Sequence, residues 1–134
     1  MASPNKPIVR ARDVMSPSLE TIKGIATAKE AADKMRADRI SALIVEKRHE
    51  DDAWGLIAVQ DLIKGVIIPG RDFEEVHVYE IMTKPVITVP ADMDIRYVAR
   101  LLHRAGIRRA PVEENKTLLG MIALRSLILD HDFF

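Results

Sequence analysis

Apolar and polar positions along the chain alternate in two similar blocks. In the first, Ala28, Ala31, Ala32 and Met35 recur at helical spacing behind Thr27, and Glu30 follows Thr27 at the interval of a capping box. The spacing predicts a helix over about 27–37. In the second, Ile95, Val98, Leu101, Leu102 and Ala105 line one face behind Asp94 as cap. Gly106 is the stop, and Arg96, Arg100, His103 and Arg104 stand on the other side. Each helix precedes two short apolar segments around a polar turn, "SALIVE" with "WGLIAV" and "RAPVE" with "LLGMIAL", which read as β-hairpins. Short amphipathic helices, "DLIKGVII" and "SLILDH", close the blocks, so each reads β-α-β-β-α. Residues 66–80, "VIIPGRDFEEVHVYE", connect them, with a turn forced at Pro69-Gly70.

The blocks are an internal repeat. An offset of 67 places 13–46 on 80–113, so that Met15/Met82, Thr21/Thr88, Ala32/Ala99, Ile40/Ile107, Val45/Val112 and Glu46/Glu113 coincide. The offset then falls to 65, because "KRHEDDAW" is two residues longer than "ENKTLL", and Gly55/Gly120, Ile57/Ile122, Ala58/Ala123 and Leu62/Leu127 coincide. A length change confined to one polar stretch marks a surface loop. The fold class expected is α+β, with a first repeat over 9–68, a linker over 69–79 and a second repeat over 80–134, together one module. A three-stranded sheet with one bare face is near the lower limit of independent stability. The repeats are therefore expected to pack sheet to sheet about a pseudo-twofold axis, with two symmetric clefts.

Composition narrows the chemistry. The 134 residues hold no cysteine, which removes disulfides, thiolate nucleophiles and Cys-based zinc sites and fits a reducing, cytoplasmic location. No apolar h-region or membrane-length apolar run is present, so a soluble protein without a membrane partner is expected. His49, His77, His103 and His131 are too scattered for a metal motif. With no phosphate-binding glycine loop, dinucleotide fingerprint or triad-like pattern either, the chain is not expected to be an enzyme. Lys+Arg and Asp+Glu are both 20, and aromatics are 4%. The stripe of Arg96, Arg100, Arg104, Arg108 and Arg109 therefore reads as a solvated face in preference to a nucleic-acid surface.

"DVMS" and "EIMT" opening the repeats, the capped helices, "RISALIVE" and "GIRRAPVE", and then "GLIAVQDL" resemble a tandem pair of CBS domains, named after cystathionine β-synthase and also called a Bateman module. The resemblance runs from about Val9 to Leu129. It implies a non-catalytic module that requires no cofactor. Such a module takes AMP, ADP, ATP or S-adenosylmethionine as regulatory ligand in the inter-repeat clefts and reports occupancy to a partner protein. It also implies a homodimer formed through the helices.

The family pattern at the strand-to-helix turn is Gly-h-h-Thr/Ser-x-x-Asp, where the acid accepts both ribose hydroxyls and the hydroxyl residue contacts ligand. "GLIAVQDL" keeps Asp61 but has Ala58 in place of the hydroxyl residue, whereas "GMIALRSL" departs at both positions with Ala123 and Ser126. Two vicinal hydroxyls suit a fixed carboxylate, since each oxygen can accept one charge-assisted bond. The Asp61 cleft is therefore the expected ligand site. Against this stands a plain helix-start role, in which Asp61 bonds back to the cap. By the resemblance the same cleft draws on Ser41, Ala42, Asp94, Ala99, Ile107 and Arg108. Arg108 and Arg109 stand where the family places phosphate-binding residues; as neighbours on a strand, at most one should face a given cleft. Asp94 also reads as an N-cap. The alternative to a nucleotide sensor is a ligand-free dimerisation or docking module with degenerate sites. Trp54 reads as packing at the first hairpin, and Phe133 and Phe134 as cover for a neighbouring repeat or a subunit interface.

Overall fold

The structure, a computed structural model, describes residues 7–132. Phe133 and Phe134 lie outside the described residues. In chain order the elements are α1 (Ala11–Val14), β1 (Thr21–Ile22), α2 (Ala28–Asp38), β2 (Ala42–Val45), β3 (Gly55–Ala58) and α3 (Val59–Leu62), which runs on into a π-helical turn, Ile63–Ile67. Then follow α4 (Val78–Ile81), β4 (Val89–Pro90), α5 (Ile95–Ala105), β5 (Arg109–Glu114), β6 (Thr117–Ala123) and α6 (Leu124–Leu129). Each repeat contributes one three-stranded mixed sheet, β1-β2-β3 and β4-β5-β6. The fold is thus the α+β arrangement expected.

Two compact units form, one of Glu20–Val86 and one that joins Ile87 onward to the N-terminal segment ending at Leu19. In the first, β1 runs parallel to β2 and β2 antiparallel to β3, with Ala42 opposite Ala58 and Val45 opposite Gly55. Leu43, Val45 and Ile57 form the core with Ala28, Ala31 and Met35, the stripe of α2 that the periodicity predicts. That helix starts as expected. Thr27 Oγ1 accepts the Glu30 amide at 3.1 Å, and Glu30 Oε2 accepts the Thr27 amide at 2.9 Å. In the other unit Val98 and Leu102 of α5 pack with Val112 and Ile122 of the sheet. Gly106 ends α5 in the left-handed region, φ 68°, where a residue without Cβ is favoured.

The units cut the chain differently from the repeat. The segment leading the second repeat packs in the Glu20–Val86 unit: Tyr79 N donates to Gly24 O at 2.9 Å, and Thr83 and Leu56 exchange backbone bonds of 2.8 and 2.9 Å. The segment leading the first repeat makes the equivalent bonds in the other unit. Arg12 N donates to Ala91 O at 3.1 Å, and Ser16 and Met121 exchange two bonds of 2.8 Å. Val76, within the stretch read as a linker, is a fully buried member of the Glu20–Val86 core. Gly120 allows one of these approaches, because a Cβ there would stand 2.3 Å from Ser16 O.

Candidate functional site

Four of the expected site residues meet at one end of the β1-β2-β3 sheet. The hairpin register sets Ala42 beside Ala58, and Val59 N donates to Ser41 O at 3.0 Å where β3 passes into α3. Asp61, one turn into that helix and partly buried, accepts the Ala58 amide on Oδ2 at 2.8 Å. The helix-start role is thus real. It occupies one carboxylate oxygen, and a carboxylate has acceptor capacity on the other as well. Ala58 has the extended backbone of an N-cap, φ −122° and ψ 169°, but no side chain that could accept a bond.

The second repeat builds the same turn with different chemistry. Leu124 N donates to Arg108 O at 2.9 Å, as Val59 does to Ser41, so Arg108 is the counterpart of Ser41. Ser126, at the place of Asp61, donates its hydroxyl to Ala123 O at 2.9 Å. Its one donor is therefore spent on its own helix, and no charge stands there.

Ile107, Arg108 and Arg109 lie together at the start of β5. Ile107 packs on the core, Arg108 is exposed and Arg109 is half-buried opposite Ala123. Burial, and then the charge of Arg108, pull the Arg109 guanidinium below its ordinary proton affinity. Ala99 packs against the core from the middle of α5. Asp94 caps α5, accepting the Arg96 amide at 2.9 Å. A helix of these 11 residues is about 16 Å long, so Asp94 stands at the end remote from Arg108.

The sequence does not reveal a charged cluster in the longer hairpin loop of the first repeat. Asp52, with 8% of its side chain exposed, accepts Lys84 Nζ at 2.7 Å, Arg48 Nε at 3.1 Å and the Arg48 amide at 2.9 Å. Arg48 and Lys84 hold its carboxyl far below the usual carboxylate range. The two-residue length difference between the loops was the signal that something is built there. Trp54 closes the same hairpin, half-buried, with Lys47 Nζ 5.3 Å from its ring centroid. Among the described residues no cluster of His, Asp or Glu could hold a metal ion, and no helix is long and apolar enough to cross a membrane.

Comparison with known proteins agrees with this architecture. The family model of the CBS domain matches residues 11–67 and 78–129. The protein MK0525 of Methanopyrus kandleri is 35% identical over 103 residues, 76% of this chain and 52% of that protein. The mitochondrial CBS domain-containing protein CBSX3 of Arabidopsis thaliana is 29% identical over 105 residues, 76% of this chain and 51% of that protein. The chain thus spans about half the length of both relatives. Among solved structures, the hexameric CBS-CP12 protein from bloom-forming cyanobacteria superposes with a TM-score of 0.89 at 39% identity, covering 94% of this chain and 70% of that one. With two sheets of the matching topology and the family model satisfied in both halves, the chain belongs to the CBS domain family and carries two CBS domains in tandem.

Proposed function

We propose that the chain is a non-catalytic regulatory module that binds an adenosyl nucleotide, AMP, ADP, ATP or S-adenosylmethionine, and signals occupancy to a partner protein. Asp61 accepts the ribose hydroxyls and Arg108 or Arg109 meets a phosphate; Ser41, Ala42, Ala58, Ala99, Ile107 and Asp94 complete the set of candidate contacts. The observation that carries this reading is the asymmetry of the two turns. One presents a carboxylate held in place by the Ala58 amide, and the other a hydroxyl spent on Ala123. A held carboxylate loses little freedom on accepting a diol, and bonds to a charged acceptor are about twice as strong as neutral ones. The ligand then shifts the conformational equilibrium of the module by no more than its differential affinity for the two states.

A cytoplasmic homodimer fits this reading. Ile67 and Ile68 after the π-helical turn, and Ile128 and Leu129 at the end of α6, are exposed aliphatic pairs suited to a subunit contact. The similar cyanobacterial protein is described as hexameric.

The test is calorimetric titration of the four ligands into the wild type and Asp61→Ala, with folding checked by circular dichroism. Micromolar binding that weakens at least about tenfold in the variant, about 1.4 kcal/mol, supports the assignment. Binding unchanged in Asp61→Ala overturns the role of Asp61. No binding to the wild type puts the ligand-free docking module in its place.

A further inference from the structure

A cavity of about 850 Å³ opens wholly within the Glu20–Val86 unit, at the Val45–Gly55 end of the hairpin and therefore at the opposite end of the strands from Ala58 and Asp61. Its size is that of small-molecule sites. Buried Val45 and half-buried Met82 give an apolar floor, and Gly24 leaves room beside them. Tyr79 forms one wall, 54% exposed and stacked on His77 with ring centroids 5.4 Å apart and 8° between planes. His77 in turn is tied through Nδ1 to Ile25 O at 3.0 Å, which fastens the aromatic pair to the turn after β1.

The rim is cationic. Lys23, Lys47, Arg48 and Lys84 line it against a single acid, Glu46. Asp52, just outside, pairs with Arg48 and Lys84. Lys47 rests over Trp54, and among the described residues neither Lys23 nor Lys47 forms an ion pair.

The internal repeat supplies a control for whether such a space is merely a by-product of the fold. At the offset of 67, Tyr79, Ile25 and Lys47 correspond to Arg12, Asp92 and Glu114, and the backbone bonds of Tyr79 to Gly24 and of Arg12 to Ala91, just after β1 and β4, are equivalent. In the other unit those three residues pair with one another: Arg12 with Asp92 and, at 3.1 Å, with Glu114. The Glu20–Val86 unit has a ring, an aliphatic side chain and a cation there, which cannot neutralise one another.

We propose that this cavity binds a small aromatic anion, an aryl phosphate or aryl carboxylate, with its ring against Tyr79, Met82 and Val45 and its charge at Lys23 and Lys47. The site is separate from Asp61 and independent of the nucleotide reading. It is tested by titrating phenyl phosphate into the ¹⁵N-labelled protein, with inorganic phosphate and phenol as the two half-ligands. Saturable shifts centred on Gly24, Ile25, Lys47 and Tyr79, with each half-ligand at least about tenfold weaker, are expected. The double variant Lys23→Glu/Lys47→Glu should weaken phenyl phosphate at least about tenfold, and Asp61→Ala should leave it unchanged. No saturable shift up to about 10 mM, shifts centred elsewhere, or half-ligands that bind as well as the whole, overturn the proposal.

Discussion

Asp61 Oδ2 accepts the amide of Ala58 at 2.8 Å, so the acid that would receive a ribose also closes half of a capping box whose other half Ala58 cannot make. The backbone at Ala58 already has N-cap geometry, φ −122° and ψ 169°. Ala58→Ser should therefore gain the missing bond to the amide three residues on and stabilise the protein by about 1 kcal/mol. A higher urea midpoint with an unchanged slope is the expected result; an unchanged midpoint would mean that the serine hydroxyl does not reach the helix.

Gly120 and Gly24 offer opposite outcomes for the same substitution. A Cβ at Gly120 would lie 2.3 Å from the backbone oxygen of Ser16, which is held by its pair of bonds to Met121 and cannot swing away. Gly120→Ala should cost about 1–3 kcal/mol. At Gly24 the nearest atoms, Tyr79 Cβ and Val45 Cγ1, are 3.6 and 3.7 Å off, ordinary contact distances. Gly24→Ala should change the thermal midpoint little. Equal losses in the two variants would contradict this account.

What the sequence made legible was local. Thr27 with Glu30, Asp94, Gly106 and the apolar spacing of α2 and α5 state their roles within one or two helical turns, and the structure places each of these caps as read. The grouping of Ser41, Ala42, Ala58 and Asp61 was implied by the family resemblance, and the hairpin register is what brings the two strand ends together. The exchange of leading segments was not, since it runs through backbone bonds such as Tyr79 N to Gly24 O, which leave no side-chain signature. Nor was the cavity: the identities of Tyr79, Ile25 and Lys47 acquire meaning only beside Arg12, Asp92 and Glu114, residues with no visible relation until both units are folded.

Asp52 gives the hairpin loop a dependence on acid. Its carboxyl, held mainly by the side chain of Arg48 and then by Lys84, titrates far below the ordinary 3.8. A depressed folded value contributes stability that is fully present above the unfolded value and is lost as pH falls toward the folded one. Asp52→Asn should thus be less stable than the wild type at neutral pH, and the gap should narrow steadily as the pH is taken below about 4. A gap that stays constant through this range would show that the loop is held by packing alone, without the Arg48 and Lys84 pairs.

Met35 and Leu102 are counterparts under the offset of 67, one buried in each core. Truncation of either to alanine should cost about 2–5 kcal/mol, and the loss should appear as faster hydrogen exchange in the unit that loses the contact. Chain order and structural unit predict different amides for that response. Ala11, Arg12 and Ser16 open the first repeat, yet their N–H groups bond to Met93, Ala91 and Met121. Val78, Tyr79 and Thr83 lead into the second repeat, yet theirs bond to Ala26, Gly24 and Leu56. Leu102→Ala should therefore loosen Ala11, Arg12 and Ser16 more than Met35→Ala does, and Met35→Ala should loosen Val78, Tyr79 and Thr83. The reverse assignment, with each segment following the repeat it opens, would mean that the exchanged segments draw their stability from their own repeats and that the backbone bonds to the other repeat contribute little.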